Sequence, residues 1–284
     1  MTAENGAARE RIAKVIARSG VCSRRDAERL IADGRVTLNG RAVTTPAIVV
    51  VAEDEIKVDG HPLPAPEARR LWRYHKPKGL LTTSKDPAGR ATIFDKLPAG
   101  LPRLLAVGRL DLSSEGLLLL TNDGGLKRRL ELPQTAWVRR YRVRAWGQVT
   151  QEALDGLAQG VTVAGITYGP ITARLERQTT SNVWITFALT EGKNREVRRV
   201  CEHLGLAVNR LIRIAFGPFQ LGELKPGDIS EVPRRVLEEQ LGDATGKTGR
   251  AGFAKAKPRP TKPKHRSRSP MKKTEATKDA NRRR

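Results

Sequence analysis

Four leucines in a row, at 117–120, stand between two polar turns. The run is far too short to span a membrane and predicts a strand buried on both faces. The turn before it carries Arg109 and Asp111, and a second turn at 121–125 closes it. Near the start, Ile12, Val15 and Ile16 recur at helical spacing, with Arg11, Lys14 and Arg18 on other faces. Ser19 and Gly20 end that helix. Ser23 then offers an N-cap to a second one, with Asp26 three residues on and Ala27, Leu30 and Ile31 as its apolar side. Arg24, Arg25 and Arg29 are left on its outward face. Residues 36–43 predict two short strands about an Asn39-Gly40 turn, and 55–59 alternates as another strand. Residues 59–66, with three prolines, read as a stiff extended linker in which His61 is exposed.

From 69 to 238, strand-like and helix-like pieces mix without regular alternation. Strands are predicted at 71–75, 141–145 and 183–189, and a basic turn, Lys76-Pro77-Lys78-Gly79, follows the first. A helix is predicted over 194–204, with Val197, Val200, Cys201 and Leu204 on its apolar side and Arg195, Arg198 and Arg199 elsewhere. This mixture predicts an α+β fold with a mixed, largely antiparallel sheet. The pattern divides the chain into a small domain at 9–66, a larger one at 69–238, and a tail at 240–284. The tail has almost no large apolar residue and is expected to be disordered, because it cannot bury enough surface to offset its ordering entropy.

Charge narrows the function. The chain has 53 Lys and Arg against 30 Asp and Glu, a net +23. From Lys247 onward there are 15 basic and 2 acidic residues, so the last 38 residues hold +13 and the first 246 still hold +10. A basic body with a very basic tail points to a polyanion, above all nucleic acid. Arginine dominates in the folded part, and its planar fork suits phosphate and bases. A membrane surface fits less well, since the basic residues are not set on a helix with a continuous apolar face. Two cysteines, Cys22 and Cys201, lie far apart and argue against a disulfide scaffold or a paired zinc site. Cys201 reads as core rather than nucleophile. Residues 1–11 have no apolar core, so no secretory signal is read and a cytoplasmic setting is expected. Nothing in the pattern demands more than a monomer.

A carboxylate at the mouth of a buried strand, two residues from a guanidinium, is well placed for chemistry. Taken alone, Asp111 could equally cap a turn, Tyr141 could be a core aromatic, and Arg198 a solvated helix residue. The N-terminal pattern, residues 11–31 continuing through Gly34-Arg35-Val36 to Asn39-Gly40, resembles the alpha-L RNA-binding module of a small-subunit ribosomal protein. Three more motifs follow in order. Gly108-Arg109-Leu110-Asp111, continued from Ser114 to Gly124, is the first. Arg139-Arg140-Tyr141-Arg142-Val143 is the second, and Glu191-Gly192-Lys193-Asn194-Arg195-Glu196-Val197-Arg198-Arg199 the third. With them the chain resembles the bacterial ribosomal RNA pseudouridine synthases that carry an N-terminal alpha-L domain. Arg139 stands where lysine is more usual, and Val200 where methionine is common.

The resemblance implies that Asp111 is the catalytic aspartate, that Tyr141 stacks on the target base, and that Arg198 is the ion-pair partner of Asp111. It implies isomerisation of uridine to pseudouridine in ribosomal RNA, the large-subunit RNA or its assembling particle being the favoured partner. Arg11, Lys14, Arg18, Arg24, Arg25, Arg29, Arg109 and Lys193 form the expected RNA-contacting set. The reaction exchanges no electrons overall, so no redox cofactor and no metal are expected. Attack of Asp111 on the ribose, removal of a ribose proton and addition to the base all stay open. The rival reading is a noncatalytic RNA-binding or ribosome-assembly protein, which composition fits equally well. What separates the two is the trio Asp111, Tyr141 and Arg198, which a pure binder has no physical reason to assemble.

Overall fold

The computed structural model describes residues 9–132 and 135–242. The first segment opens with β1 (Glu10–Arg11), α1 (Ile12–Arg18) and α2 (Arg24–Ala32). Ile12, Ile16, Ala27 and Ile31 are fully buried between the helices and the small strands that follow. Ser23 caps α2 as expected, its hydroxyl accepting from the Asp26 N–H at 3.1 Å. After α2 come β2 (Val36–Leu38), β3 (Arg41–Val43), β4 (Val49–Val50), β5 (Ile56–Val58) and β6 (His61–Pro62). They form a sheet in the order β3-β2-β5-β6, while β4 pairs with β1. Asn39 and Gly40 both take positive φ, 50° and 79°, as the hairpin reading requires.

One expectation is corrected here. Residues 59–66 do not all act as a linker, because Asp59 (φ 51°) and Gly60 (φ 79°) form a second tight turn of the same kind. That turn brings β6 back onto β5, with Val58 opposite His61, and Leu63 packs on the N-terminal core. His61 is exposed, as read.

The larger part follows with β7 (Leu71–Lys76), β8 (Leu105–Val107), β9 (Glu115–Thr121), α3 (Gly124–Glu131) and β10 (Arg139–Trp146). Next come α4 (Gln151–Asp155), the hairpin β11 (Val161–Val163) and β12 (Ile166–Tyr168), β13 (Ile171–Gln178), β14 (Asn182–Leu189) and α5 (Glu196–His203). It ends with β15 (Ala207–Phe216), β16 (Phe219–Gln220), β17 (Ile229–Glu231) and α6 (Arg234–Leu241). The main sheet runs β13-β14-β10-β15-β9-β7-β17, with β16 on β15 and β8 on β9. Every described pairing in it is antiparallel except β15 with β9, so the α+β, largely antiparallel expectation holds. Among the described residues, no helix is long and apolar enough to cross a membrane.

The leucine run is β9, and it is buried on both sides. Leu117 and Leu119 pack with Leu126, Leu130, Leu237 and Leu241 from α3 and α6. Leu118 and Leu120 pack with Trp72, Tyr74 and Ile93 on the other face. All four leucines are 0 % exposed, each contributing about 1.5–3 kcal/mol of apolar burial. Helix α3 was read only as a turn because Gly124-Gly125 disguises it; Asp123 caps it by accepting from the Leu126 N–H. Helix α6 carries the packed body to Leu241, past the boundary read at 238. The tail reading for 240–284 lies outside the described residues beyond 242.

The parallel pairing of β15 with β9 is made possible by one glycine. Gly116 sits opposite Arg213 with φ 105°, and a Cβ there would lie 2.4 Å from the Arg213 carbonyl oxygen. No rotamer relieves a backbone clash. Gly116→Ala is therefore expected to cost about 3 kcal/mol or more in urea unfolding, and a loss below about 1 kcal/mol would show that the two strands can move apart.

Candidate active site

The turn from Gly108 to Ser114 is held almost entirely through its main chain. At its start, the Gly108 N–H donates to Glu131 of α3 at 2.7 Å. The next five carbonyls that matter are consecutive, and each accepts a hydrogen bond. Thr82 Oγ1 donates to the Leu110 carbonyl at 2.8 Å, and the Gly79 N–H to that of Leu112 at 2.8 Å. Arg198 Nη2 donates to the Ser113 carbonyl at 2.9 Å. Lys76 Nζ donates to the carbonyls of Asp111 (3.2 Å) and Ser114 (2.9 Å), and to that of Pro77 (3.0 Å). The Ser114 N–H closes the turn on the Asp111 carbonyl at 3.0 Å.

The Asp111 side chain is left over. Its carboxylate has no hydrogen bond or ion pair among the described residues, and it lines a cavity of about 560 Å³. That size falls in the usual range for a small-ligand site. Tyr141 from β10, Leu211 and Arg213 from β15, and Lys193, Asn194 and Arg195 from the segment before α5 line the same space. Arg139 and Arg213 lie over the Phe216 ring, at 4.8 and 5.3 Å from its centroid. The cavity thus offers one free carboxylate, one tyrosine ring and several guanidinium groups.

Arg198 was expected to pair directly with Asp111. It is not in contact with that carboxylate: its Nη2 is used on the Ser113 carbonyl, and no ion pair within 4.0 Å joins the two. It lies close enough to feel the Asp111 charge. Burial and the neighbouring Arg195 push the Arg198 guanidinium below its ordinary range, and Asp111 opposes them. The helix pattern set Arg198 off the apolar side, yet it is 7 % exposed and turned under the Asp111 turn. Helix α5 also starts later than expected. Arg195 adopts a left-handed conformation (φ 54°), which frees Asn194 and Arg195 from the helix and puts them in the cavity wall. Glu196 stabilises that entry by accepting from the Lys193 N–H at 2.9 Å. Burial pushes the Glu196 carboxyl up, with the Lys193 N–H opposing.

Lys76 is a residue of the site that the sequence reading missed. It was placed in a basic turn after the strand, but it ends β7 and is 0 % exposed. The signal was present, since Trp72, Tyr74 and Lys76 occupy alternate strand positions and must share one face. Burial lowers its ammonium to about 8, with the charges of Asp111 and Glu115 opposing.

The remaining predicted residues fall into two groups. Arg109 is exposed at the cavity, and Lys193 lines it while pairing with Glu191 at 2.8 Å. In the N-terminal module Arg11, Lys14, Arg18, Arg24, Arg25 and Arg29 are all exposed. Four of them have acidic neighbours on the same module: Lys14 and Arg18 share Glu10, Arg24 meets Glu28 and Arg29 meets Asp26. Arg11 and Arg25 have no such partner among the described residues. Cys201 is fully buried and its thiol is pushed up to about 12 by burial, as suits a core residue.

Known proteins carry the same two parts. Residues 10–56 match the S4 domain, and residues 70–203 match the family described as RNA pseudouridylate synthase. An uncharacterised RNA pseudouridine synthase of Rickettsia prowazekii is 47 % identical, over 81 % of this chain and 97 % of its own. The chain belongs to the RNA pseudouridine synthase family. The ribosomal large subunit pseudouridine synthase B of Pseudomonas aeruginosa is 43 % identical over 82 % of this chain and 63 % of its own. A crystal structure of a pseudouridylate synthase superimposes with a TM-score of 0.56 at 28 % identity, covering 80 % of this chain and 98 % of that one. The enzyme is an RNA pseudouridine synthase with an N-terminal S4 domain, as the sequence reading expected.

The strained charge of Lys76 has a measurable sign. Its folded pKa lies below its free value, so between about 8 and 10.5 the unfolded chain holds more protons and this group stabilises the fold increasingly as pH rises. Replacing Lys76 with Met takes a donor from three carbonyls, of which that of Asp111 keeps the Ser114 N–H, and is expected to cost about 3 kcal/mol at pH 7. In urea titrations the gap between the two proteins should widen from pH 7 to pH 9.5. A gap that stayed constant or narrowed would mean that burial does not strain the ammonium.

Proposed function

We propose that this enzyme isomerises one or a few uridines of ribosomal RNA, in the cytoplasm, with Asp111 as the catalytic carboxylate. Large-subunit RNA is the favoured substrate, as the name of the Pseudomonas relative supports. The observation that carries the reading is the contrast at Asp111: a main chain tied at each carbonyl from Leu110 to Ser114 beside a carboxylate with no partner among the described residues, in a cavity of nucleotide scale.

The reaction breaks the bond from uracil N1 to the anomeric carbon, turns the base and rejoins it through carbon 5. The hydrogen on carbon 5 is lost and N1 gains one, so atoms balance without a redox partner. As the base leaves, the anomeric centre becomes electron-poor, and a nearby carboxylate stabilises or captures it. That role needs the carboxylate form of Asp111, and the buried Arg198 and Lys76 lie under the turn that carries it. Both act through the main chain they hold rather than by contact with the carboxylate. Tyr141 presents a flat ring from β10, where uracil can stack while it turns.

A uridine reaches this cavity only by leaving its stack, at a cost of a few kcal/mol that is lower in loops and bulges. Arg109, exposed on the same turn as Asp111, is placed to fill the vacated space or hold the flipped nucleotide's phosphate. The S4 domain and its arginines add affinity through phosphate contacts and counterion release.

Asp111→Asn should bind ribosomal RNA nearly as the unaltered enzyme does and form no pseudouridine when the RNA is digested and its nucleosides are separated. Product from that variant would remove Asp111 from the mechanism, and release of free uracil by the unaltered enzyme would make it a hydrolase. Arg109→Ala should slow product formation at least about tenfold on folded RNA and much less on an unstructured fragment, since unstacking costs differ by a few kcal/mol. Equal slowing on both would assign Arg109 a role after flipping.

A further inference from the structure

Away from the cavity, positive charge gathers on the exposed face of the β13-β14-β10-β15 part of the sheet. Strand alternation divides β10 into two sets. Tyr141, Val143 and Ala145 turn toward the core shared with α4 and α5, and Tyr141 reaches the cavity. Arg140, Arg142, Arg144 and Trp146 take the alternate positions. Strand register carries this second set across the sheet. Arg142 lies opposite Thr186, which lies opposite Arg174; Arg144 lies between Trp184 and Arg210, and Trp184 lies opposite Arg177. Arginines from three strands therefore share one face, and none of these lines the cavity.

Few of these charges are used within the fold. Arg142 meets Glu176 at 2.8 Å and Arg210 meets Glu115 at 2.6 Å. Arg140, Arg144 and Arg177 have no hydrogen bond or ion pair among the described residues. The arrangement also works against stability, because Arg144 and Arg210 are direct cross-strand neighbours and like charges so placed repel. Mixed signs would serve a merely solvated surface better, whereas arginine in this density suits phosphate, which its fork matches.

Aromatic surface sits among the arginines. The Arg142 guanidinium lies 4.5 Å from the centroid of the Trp184 ring. Trp146, at the end of β10, is 57 % exposed. Indoles flanked by arginines form platforms on which unpaired bases stack.

We propose that this face is a second RNA-binding surface, separate from the catalytic cavity and from the S4 module. It holds the sugar-phosphate backbone of the substrate RNA away from the target uridine, and Trp146 stacks on an unpaired base there. The proposal rests on the ribosomal RNA reading above, and binding and isomerisation test the two apart.

The experiment uses the full chain carrying Arg140→Gln, Arg144→Gln and Arg177→Gln together. Its probes are transcribed large-subunit ribosomal RNA and a short stem-loop excised around the mapped product. Affinity for the long RNA should fall at least about tenfold at moderate salt, and the log-log salt slope should shrink by about 2 to 3. Turnover of the stem-loop should not change. The matching triple Arg→Lys protein should recover most of the salt slope, which separates charge from folding damage. Quenching of tryptophan fluorescence by the long RNA should diminish in Trp146→Phe.

Unchanged affinity and slope on the long RNA would overturn the proposal. So would a loss seen only with assembling ribosomal particles, which would give the face to a protein partner. Lost long-RNA affinity in the triple variant, combined with no pseudouridine from the unaltered enzyme, would sink the functional reading and leave this surface standing.

Discussion

A buried ammonium under a turn is the interaction on which the rest of the site depends. Lys76 ties three carbonyls, and with Thr82, Gly79 and Arg198 it leaves none of the carbonyls from Leu110 to Ser114 unmet. An orphaned buried carbonyl costs about 1–3 kcal/mol, so the turn cannot reshape itself without a large penalty. The side chain of Asp111 is thereby aimed at the cavity by forces that make no use of its carboxylate. The carboxylate proposed to react is the one left without a structural duty.

Arginine serves this protein in three distinct ways. Buried residues such as Arg198 and Arg213 donate to carbonyls, at Ser113 and Leu117, and position main chain. Others, such as Arg35 with Asp59 and Arg70 with Glu231, close surface ion pairs between segments. A third group has no intramolecular partner among the described residues. In this third group the charge is available to a polyanion, and in it the +10 of the first 246 residues acquires a purpose. Net charge alone cannot tell these uses apart, because only burial and partners decide which guanidinium is already occupied.

Much of the organisation was legible from pattern. The capped helices of the S4 module, the Asn39-Gly40 hairpin and the buried leucine strand follow from local rules: period, cap chemistry and turn residues. The misreadings share a cause. Asp59-Gly60 resembled the start of a linker because the following prolines suggested extension, yet the turn itself returns the chain to its sheet. Gly124-Gly125 concealed a helix, and Arg195 cut another short with a left-handed residue that helical periodicity does not reveal.

Short-range spacing encodes the helices and hairpin of the S4 module, the leucine strand and the three motifs that place the chain among RNA pseudouridine synthases, and these were readable from the sequence by itself. Tertiary structure alone decided that Lys76 and Arg198 are buried under the Asp111 turn, and that the Asp111–Arg198 relation runs through a carbonyl instead of an ion pair. It also decided that arginines from three strands share one face. These facts depend on strand register and on contacts between residues tens of positions apart, where side-chain burial and field are set by neighbours that no local pattern contains.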